Sequence, residues 1–179
     1  YWNDTFTRSL GAGANEIQLT GGMSGFGQHG GAGLTITLNN DASTPIQWGS
    51  AEFNPSTLVL QTVYANTNSL VTFNNALDLN GAQRMIEVNQ GSGFSSVRTQ
   101  MNGLLSNSAG TPAGLTKTGA GRLILNPANN SAGNTYDGPT VIQGGIVQFG
   151  TGFNNTWNGE SLPADSNLEI NGGIASGYW

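Results

Sequence analysis

Ten carboxylates are the side chains in this sequence best suited to catalysis, and they are scattered along it at positions 4, 16, 41, 52, 78, 87, 137, 160, 165 and 169. Cleavage of a glycosidic bond needs two carboxylates on one face, one of them acting as the acid. The nearest pairs are Glu160 with Asp165 and Asp165 with Glu169, for which solvated loop acids are the ordinary interpretation. A glycan-binding or glycan-cleaving β-helix, lyase-like or hydrolase-like, stays as the alternative function, because stacked turns bring distant residues together.

The sequence contains few residues of the types that bind transition metals or act as activated nucleophiles. His29, in a glycine-rich stretch, is the one histidine, and cysteine is absent, so neither a transition-metal site nor a disulfide framework is predicted. No nucleophile-elbow motif accompanies His29 to support a Ser-His-Asp triad. We predict no catalytic residue and no cofactor, although the turn Asn39-Asn40-Asp41 could hold a structural calcium ion weakly.

Aromatic side chains could form a stacking platform for sugars, the other requirement of a glycan site. In an all-β stack such side chains more often fill the core or anchor loops. The candidates are Trp2, Trp48, Phe153, Trp157 and Trp179.

The elements that would position these residues are short strands. Runs that alternate in polarity, or that are rich in β-branched residues, recur between turns. The turns carry Asn-Gly pairs, which readily adopt left-handed backbone angles, at Asn80-Gly81, Asn102-Gly103, Asn158-Gly159 and Asn171-Gly172. The predicted strands are 16–20, 34–38, 57–61, 70–73, 84–88, 122–125, 140–143, 146–149 and 167–170.

The composition favours a β-solenoid over a β-sandwich. Gly, Asn, Thr and Ser make up 83 of the 179 residues, and only 8% of the residues are charged. Outward strand positions are mostly Thr, Asn, Gln and Ser, which can form side-chain ladders at the strand spacing of about 4.8 Å. At roughly 20–25 residues per coil, we predict an all-β solenoid of about seven to nine rungs.

The charge balance excludes some partners. The formal net charge is −5, and the four arginines and one lysine are too scattered for a nucleic-acid-binding surface. Apolar runs are far shorter than the roughly 20 residues that a membrane-spanning helix needs. We therefore expect neither nucleic-acid binding nor membrane insertion of this segment.

One stretch, 114–150, follows a specific pattern. It opens as Gly-Leu-x-Lys-x-Gly-x-Gly-x-Leu-x-Leu, continues through Asn-x-Tyr-x-Gly and Thr-Val, and closes with a glycine turn into a last strand. It resembles the autotransporter-associated β-strand repeat, or passenger-associated transport repeat, of large repetitive bacterial autotransporter-like surface proteins. The matching positions are Gly114, Leu115, Lys117, Gly119, Gly121, Leu123, Leu125, Asn134, Tyr136, Gly138, Thr140, Val141, Gly144, Gly145, Ile146 and Gly150.

The resemblance implies a right-handed parallel β-helix in a secreted passenger at the bacterial cell surface. It implies a structural or adhesive role, as part of a stalk or filament, and no catalytic residue. The expected partners are neighbouring copies of the repeat, in the same chain or by self-assembly, and surface glycans or another cell. Because Lys117 and Arg122 flank the glycines of a sharp arc, we expect both cations on its solvent side.

The two ends of the sequence share a dipeptide, since Tyr1-Trp2 is repeated as Tyr178-Trp179. The repetition predicts that residues 1–179 form one unit of a tandem array with a period near 177 residues. These four aromatic residues are expected to bury surface at a junction between units.

Overall fold

The computed structural model describes residues 4–29, 33–65, 68–91, 96–127, 133–150 and 162–176. All regular secondary structure in those ranges is β-strand, and none of the described residues forms a helix long and apolar enough to cross a membrane. The sixteen strands are β1 (Asp4–Arg8), β2 (Met23–Phe26), β3 (Gly33–Leu38), β4 (Ile46–Gln47), β5 (Thr57–Leu60), β6 (Leu70–Phe73), β7 (Leu77–Asp78), β8 (Arg84–Glu87), β9 (Arg98–Met101), β10 (Leu105–Ser106), β11 (Leu115–Thr118), β12 (Arg122–Leu125), β13 (Thr140–Ile142), β14 (Ile146–Phe149), β15 (Leu168–Ile170) and β16 (Ile174–Ser176).

The strands stack into three parallel sheets, so that the chain winds around a common axis. The seven-strand face runs β1-β3-β6-β9-β12-β14-β16, and the six-strand face runs β2-β5-β8-β11-β13-β15. The three-strand face runs β4-β7-β10. Every strand pair is parallel, and each strand pairs with the equivalent strand one turn away. The predicted all-β solenoid is therefore confirmed.

The described residues form about five turns, which is the number that the six stacked strands of the six-strand face delimit. The predicted count of seven to nine rungs is not confirmed, because the early coils are longer than assumed. On the seven-strand face, Leu34 pairs with Val71, and Val71 pairs with Thr99. Both of these steps exceed the assumed coil length. The next two steps, from Thr99 to Leu123 and from Leu123 to Val147, fall within it.

The core is a set of columns of inward side chains that run along the axis. One unbroken column on the seven-strand face consists of Ile36, Phe73, Met101, Leu125 and Phe149, all of them buried. Burying apolar surface at about 25 cal/mol per Å² makes such columns the main stabilising contribution. Because each side chain packs on its equivalents one turn away, the core repeats along the axis.

Outward side chains form the predicted ladders. The amide of Asn74 donates to Thr37 Oγ1 at 3.1 Å, Asn102 donates to Asn74 Oδ1 at 3.0 Å, and Asn126 donates to Asn102 Oδ1 at 3.4 Å. These residues lie at one register position on four successive turns. We call this row of side chains, Thr37, Asn74, Asn102 and Asn126, the amide ladder.

Asn75, next to the ladder, points inward and replaces backbone hydrogen bonds at a corner. It is fully buried, accepts from Leu38 N at 2.7 Å, and donates to the carbonyls of Leu38 at 2.9 Å and Asp41 at 2.7 Å. One side chain thereby satisfies three backbone groups of the preceding turn, which would otherwise be costly to bury.

The Asn-Gly turns behave in two ways. Asn80 and Gly81 both have positive φ, 52° and 68°, as predicted for a tight turn. Gly103 is needed for a different reason, because a Cβ there would lie 2.0 Å from the carbonyl oxygen of Asn75. The pair at 158–159 lies outside the described residues. The predicted strand at 16–20 is wrong, since only isolated bridges form there, at Ile17 and Leu19.

Candidate functional site

The candidate site is the pair of turns built by β11, β12, β13 and β14, where the sequence resemblance falls. β11 pairs with β13 on the six-strand face, and β12 pairs with β14 on the seven-strand face. The two turns are therefore stacked in register. Each passes from one face to the other through a glycine arc, at 119–121 and at 144–145.

Lys117 occupies an inward position of β11, between isoleucines of β8 and β13. Its side chain is fully buried, so its aliphatic stem fills a core position. Its Nζ donates to the carbonyl oxygens of Thr118 at 2.7 Å, Gly119 at 2.8 Å and Gly144 at 3.0 Å. The Thr118 carbonyl ends β11, the Gly119 carbonyl belongs to the arc that follows, and the Gly144 carbonyl belongs to the next arc, so one ammonium group links two turns.

The electrostatics of Lys117 reflect this burial. Desolvation lowers the pKa of Lys117 to about 8, and the charge of Glu87 opposes the lowering. An ammonium group has three donors, which matches the three carbonyls. The prediction that Lys117 lies on the solvent side of the arc is wrong, because strand alternation turns it inward towards the arc's carbonyls. Arg122 does lie outward, half-buried, on β12.

The two arcs need glycine because they nest against neighbouring backbone. Gly119 has a φ of +76°, and a Cβ there would lie 2.4 Å from the carbonyl oxygen of Val88. Gly145 has a φ of +63°, and its Cβ would lie 2.3 Å from the carbonyl oxygen of Gly121. Successive arcs can thus pack on one another only without side chains at these positions.

The corner between β12 and β13 is fixed by two side chains of the motif. Asn134 accepts a hydrogen bond from Leu105 N at 2.9 Å, at a place where a further strand would continue the three-strand face. Tyr136 is fully buried and shares a hydrogen bond with Thr140 Oγ1 at 2.6 Å. Burial raises the pKa of Tyr136 to about 12. The phenol therefore acts as a neutral hydrogen-bonding core group.

Asp137, beside the same corner, holds the preceding turn. Its carboxylate accepts from Ala113 N at 3.0 Å and from the amide of Asn107 at 2.8 Å. The hydrogen bond from Ala113, followed by that from Asn107, lowers the pKa of Asp137. At Gly138 a Cβ would lie 2.6 Å from the backbone of Ala113, so the chain passes too closely for any larger residue.

The remaining candidate residues that are described include exposed polar side chains and a buried tryptophan. Asp165 and Glu169 are exposed beside and in β15, at the end of the six-strand face, and Glu160 lies outside the described residues. His29 is exposed. Trp48 is fully buried, packs edge-on against Phe53, and donates from Nε1 to the carbonyl of Pro55 at 2.8 Å. The other aromatic candidates, Trp2, Phe153, Trp157 and Trp179, lie outside the described residues.

The turn proposed for calcium uses its carboxylate internally. Asp41 accepts from the backbone of Ser43 at 2.8 Å, from its hydroxyl at 2.7 Å and from Thr44 N at 3.4 Å. Hydrogen bonds from Thr44 and then Ser43 lower the pKa of Asp41. Within the described ranges no group of three or more His, Asp or Glu side chains could hold a metal ion. Calcium binding here stays a prediction.

Sequence inspection missed one alignment of charged residues. Arg98 on β9 and Arg122 on β12 are register partners on neighbouring turns. The signal was present as Arg-x-x-x-Asn at 98–102 and again at 122–126. The spacing of the two copies equals the length of the coil that joins β9 to β12. Aligning the sequence by coil would therefore have revealed both the arginine pair and part of the amide ladder.

The fold and this site define the class of molecule as a parallel β-solenoid whose turns are joined by glycine arcs and a buried lysine. Residues 115–149 match the family model described as Passenger-associated-transport-repeat. This stretch is thus a passenger-associated transport repeat, as its sequence pattern predicted. The family is a structural passenger repeat, and it implies a secreted or surface protein. Neither curated proteins nor solved structures gave a significant match.

The predicted inter-unit junction, Tyr1, Trp2, Tyr178 and Trp179, lies outside the described residues. The roles of these four aromatic residues stay a prediction.

Proposed function

We propose that this chain is a structural unit of an extracellular bacterial surface protein, a right-handed parallel β-helix that builds a stalk or filament and presents an adhesive surface. The observation that carries the proposal is the passenger repeat at 115–149, whose strands continue the same parallel sheets as the rest of the described chain. The repeat is thus part of one continuous stack.

The stack is suited to a mechanical role because its stabilising contacts run along the axis. Backbone hydrogen bonds join each turn to the next, the core columns bury apolar side chains, and the amide ladder adds side-chain hydrogen bonds. Lys117 links two arcs in the same direction. A force along the axis would load many such bonds together.

The right-handed winding is supported by the connections between parallel strands. In parallel sheets the crossover from one strand to its neighbour is right-handed in nearly all proteins, because strands twist to the right. Each turn of this solenoid makes such a crossover through one or two other faces.

The end strands favour a neighbouring copy as partner. Ile170 of β15 and Ile174 of β16 are 55% and 59% exposed, and Met23 of β2, at the other end, is 64% exposed. Open strand edges with apolar side chains are templates for further strands. We therefore propose that units stack end to end, with β15 and β16 of one unit facing the first strands of the next.

The coil length limits how such units are joined in one chain. If Tyr178-Trp179 repeats Tyr1-Trp2, the next copy of Asp4 follows Ala175 within a few residues. Asp4 and Ala175 belong to the same register column, in which even the shortest step, such as that from Thr99 to Leu123, is several times longer. A period near 177 residues is therefore too short for β1 of the next copy to stack directly on β16. Direct stacking needs either at least one further turn of chain between copies or two separate chains.

Glycan binding is a second candidate function. A groove of about 240 Å³ lies beside the amide ladder and is lined by Asn74 and Asn102. Its other lining residues come from four turns and are small or apolar, namely Ala42, Ser43, Ala76, Gly103, Leu104 and Pro127. Amide groups along a groove can hydrogen-bond sugar hydroxyls, which supports binding rather than cleavage.

Sedimentation velocity over a hundredfold concentration range tests the stacking of ends. The wild-type chain is expected to form linear oligomers, and Ile170→Lys with Ile174→Lys should abolish them by charging the end strands. Tyr64→Lys is the matched control, because Tyr64 is 75% exposed but lies away from the end strands. A wild-type chain that stays monomeric, or oligomers that survive the double substitution, would refute end-to-end stacking.

A further inference from the structure

Two arginines are stacked on the outward side of the seven-strand face. Arg98 of β9 and Arg122 of β12 occupy one register position on adjacent turns, and adjacent strands lie about 4.8 Å apart. The residues that follow them, Thr99 and Leu123, are fully buried, so the arginines lie on the outward side of the alternation. Two of the five cationic residues of an acidic chain are thus placed together.

Neither arginine is neutralised within the described part of the chain. Arg98 Nη1 donates to the carbonyl of Ser96 at 3.2 Å, and Arg122 Nη1 contacts Gln148 Oε1 at 3.4 Å. Arg122 Nε is buried without a hydrogen-bond partner. Since a guanidinium group has five N–H donors, Nη donors of both side chains remain unpaired within the described part of the chain, whereas the buried Arg122 Nε is not accessible to a ligand.

An anion would complete this arrangement. Like charges at paired positions of neighbouring strands are unfavourable, and a carboxylate or sulfate between two guanidinium groups relieves the repulsion. The planar fork of arginine binds such oxyanions with two parallel hydrogen bonds, which gives orientation as well as attraction. Because the two residues are register partners on adjacent turns, both arginine side chains can reach one oxyanion that bridges the two turns.

The outward columns next to the pair carry amide side chains and, over the described turns, no charged residue. The adjacent outward column consists of Gln100, Ile124 and Gln148, of which Ile124 is only 6% exposed, and the amide ladder lies in the column beyond. Asn74 and Asn102 each donate one N–H within the ladder, so the second N–H of each amide is free to donate to a ligand. The groove described above continues this surface.

We propose that the outward side of the seven-strand face binds an acidic polysaccharide, whose carboxylate or sulfate group is held by Arg98 and Arg122 and whose hydroxyls contact the amide ladder. An acidic sugar chain fits this surface better than a nucleic acid, because the site offers only two cations, together with neutral amides that can hydrogen-bond sugar hydroxyls. The inference names a partner for the proposed adhesive role and rests on it, but the site lies on successive turns of one chain and does not depend on end-to-end stacking.

Calorimetric titration of the 179-residue chain with defined polymers tests the proposal. The probes are polygalacturonate and dextran sulfate, with neutral dextran and poly-L-glutamate as comparisons. We expect both acidic polysaccharides to bind, neutral dextran not to bind, and affinity to fall as salt increases. Arg98→Gln with Arg122→Gln should weaken binding at least tenfold, whereas Arg8→Gln, on β1 and away from the pair, should change it less than twofold.

Several outcomes overturn the proposal. They are absence of binding to both acidic polysaccharides, binding by the double variant as tight as that of the wild-type chain, and a loss of affinity in Arg8→Gln equal to that in the double variant. Binding of poly-L-glutamate as tightly as polygalacturonate would instead assign the arginine pair to an acidic protein partner. Thermal melting of the single variant Arg98→Gln serves as the folding control. Because this variant loses the like-charge contact with Arg122, its melting temperature should be unchanged or higher than that of the wild-type chain. Sedimentation of the same variants separates this result from the stacking of ends.

Discussion

Replacing Lys117 with methionine isolates the contribution of the buried ammonium group. Methionine preserves most of the apolar stem but has no donor, so three hydrogen bonds to the carbonyls of Thr118, Gly119 and Gly144 are lost. The carbonyl of Thr118 keeps the amide of Val88 as a donor at 3.1 Å. In the described part of the chain, Gly119 and Gly144 retain no other donor to their carbonyls.

The expected change in the free energy of unfolding has two opposing parts, the loss of partners for these two carbonyls and the removal of a buried charge. A buried acceptor that loses its partner costs roughly 1–3 kcal/mol, so the two carbonyls together cost about 2–6 kcal/mol. The opposing part arises because burying the Lys117 charge is unfavourable in the wild-type chain, and methionine removes that charge. The pKa of Lys117 falls from 10.5 to about 8, which corresponds to at most about 3 kcal/mol. We therefore expect Lys117→Met to lower the free energy of unfolding by about 2 kcal/mol.

Urea denaturation followed by circular dichroism measures this difference, with Ile142→Met as the matched control. Ile142 is the register partner of Lys117 one turn away, and it is fully buried. Because this exchange conserves volume, it should cost less than about 1.5 kcal/mol. Amide hydrogen exchange at 119–121 and 144–146 should accelerate in Lys117→Met only. A Lys117→Met chain as stable as wild type, with unchanged exchange at both arcs, would refute the linking role.

Further predictions concern pH, the glycine arcs and the amide corner. Between pH 8 and 10.5 the unfolded chain binds more protons at Lys117 than the folded chain, so the free energy of unfolding should rise with pH there, and not in Lys117→Met. Between pH 10 and about 12 the folded chain retains the proton of Tyr136, so stability should fall, and Tyr136→Phe should remove that fall in pH titrations of unfolding. Gly119→Ala should lower the free energy of unfolding measured in urea by more than about 2 kcal/mol, because it adds a clash with neighbouring backbone to an unfavourable φ. Gly150→Ala, at a φ of 79° and in open space, should lower it by only about 1 kcal/mol. Equal losses would contradict the nesting of the arcs. Asn75→Ala removes three buried hydrogen bonds and should cost about 3 kcal/mol by the same measurement, and a cost below about 1 kcal/mol would mean that water replaces the amide.

The strands with strong alternation were predictable from the sequence, whereas β9, which has a polar residue at an inward position, was not. The segments around β3, β5, β12 and β14 carry β-branched and aliphatic residues at period two, and their strands form within a residue of the predicted bounds. β9 reads Arg-Thr-Gln-Met, and its buried threonine is tolerated because Thr99 Oγ1 donates to the carbonyl of Leu60 at 2.6 Å. That partner lies on another face, so no local pattern indicates it.

The arrangement of the site depended even more on non-local partners. The glycines and the tyrosine of the repeat were recognisable as a pattern, but the inward position of Lys117 was not. A lysine next to a glycine turn ordinarily points to solvent, and only the stacking of two arcs places three carbonyl oxygens around its amine. The predicted number of turns is not confirmed for a similar reason, because long loops in the early coils leave no periodic signal.

The most direct test of the central claim is electron microscopy, with fibre diffraction, of the native surface material that contains this chain. The solenoid predicts continuous rods, with the strands stacked along the axis at a repeat of about 4.8 Å. Antibodies against the seven-strand face should label these rods on intact cells. Separate compact particles without the axial repeat, or labelling only after cells are permeabilised, would contradict the assignment of this chain to an extracellular stalk or filament.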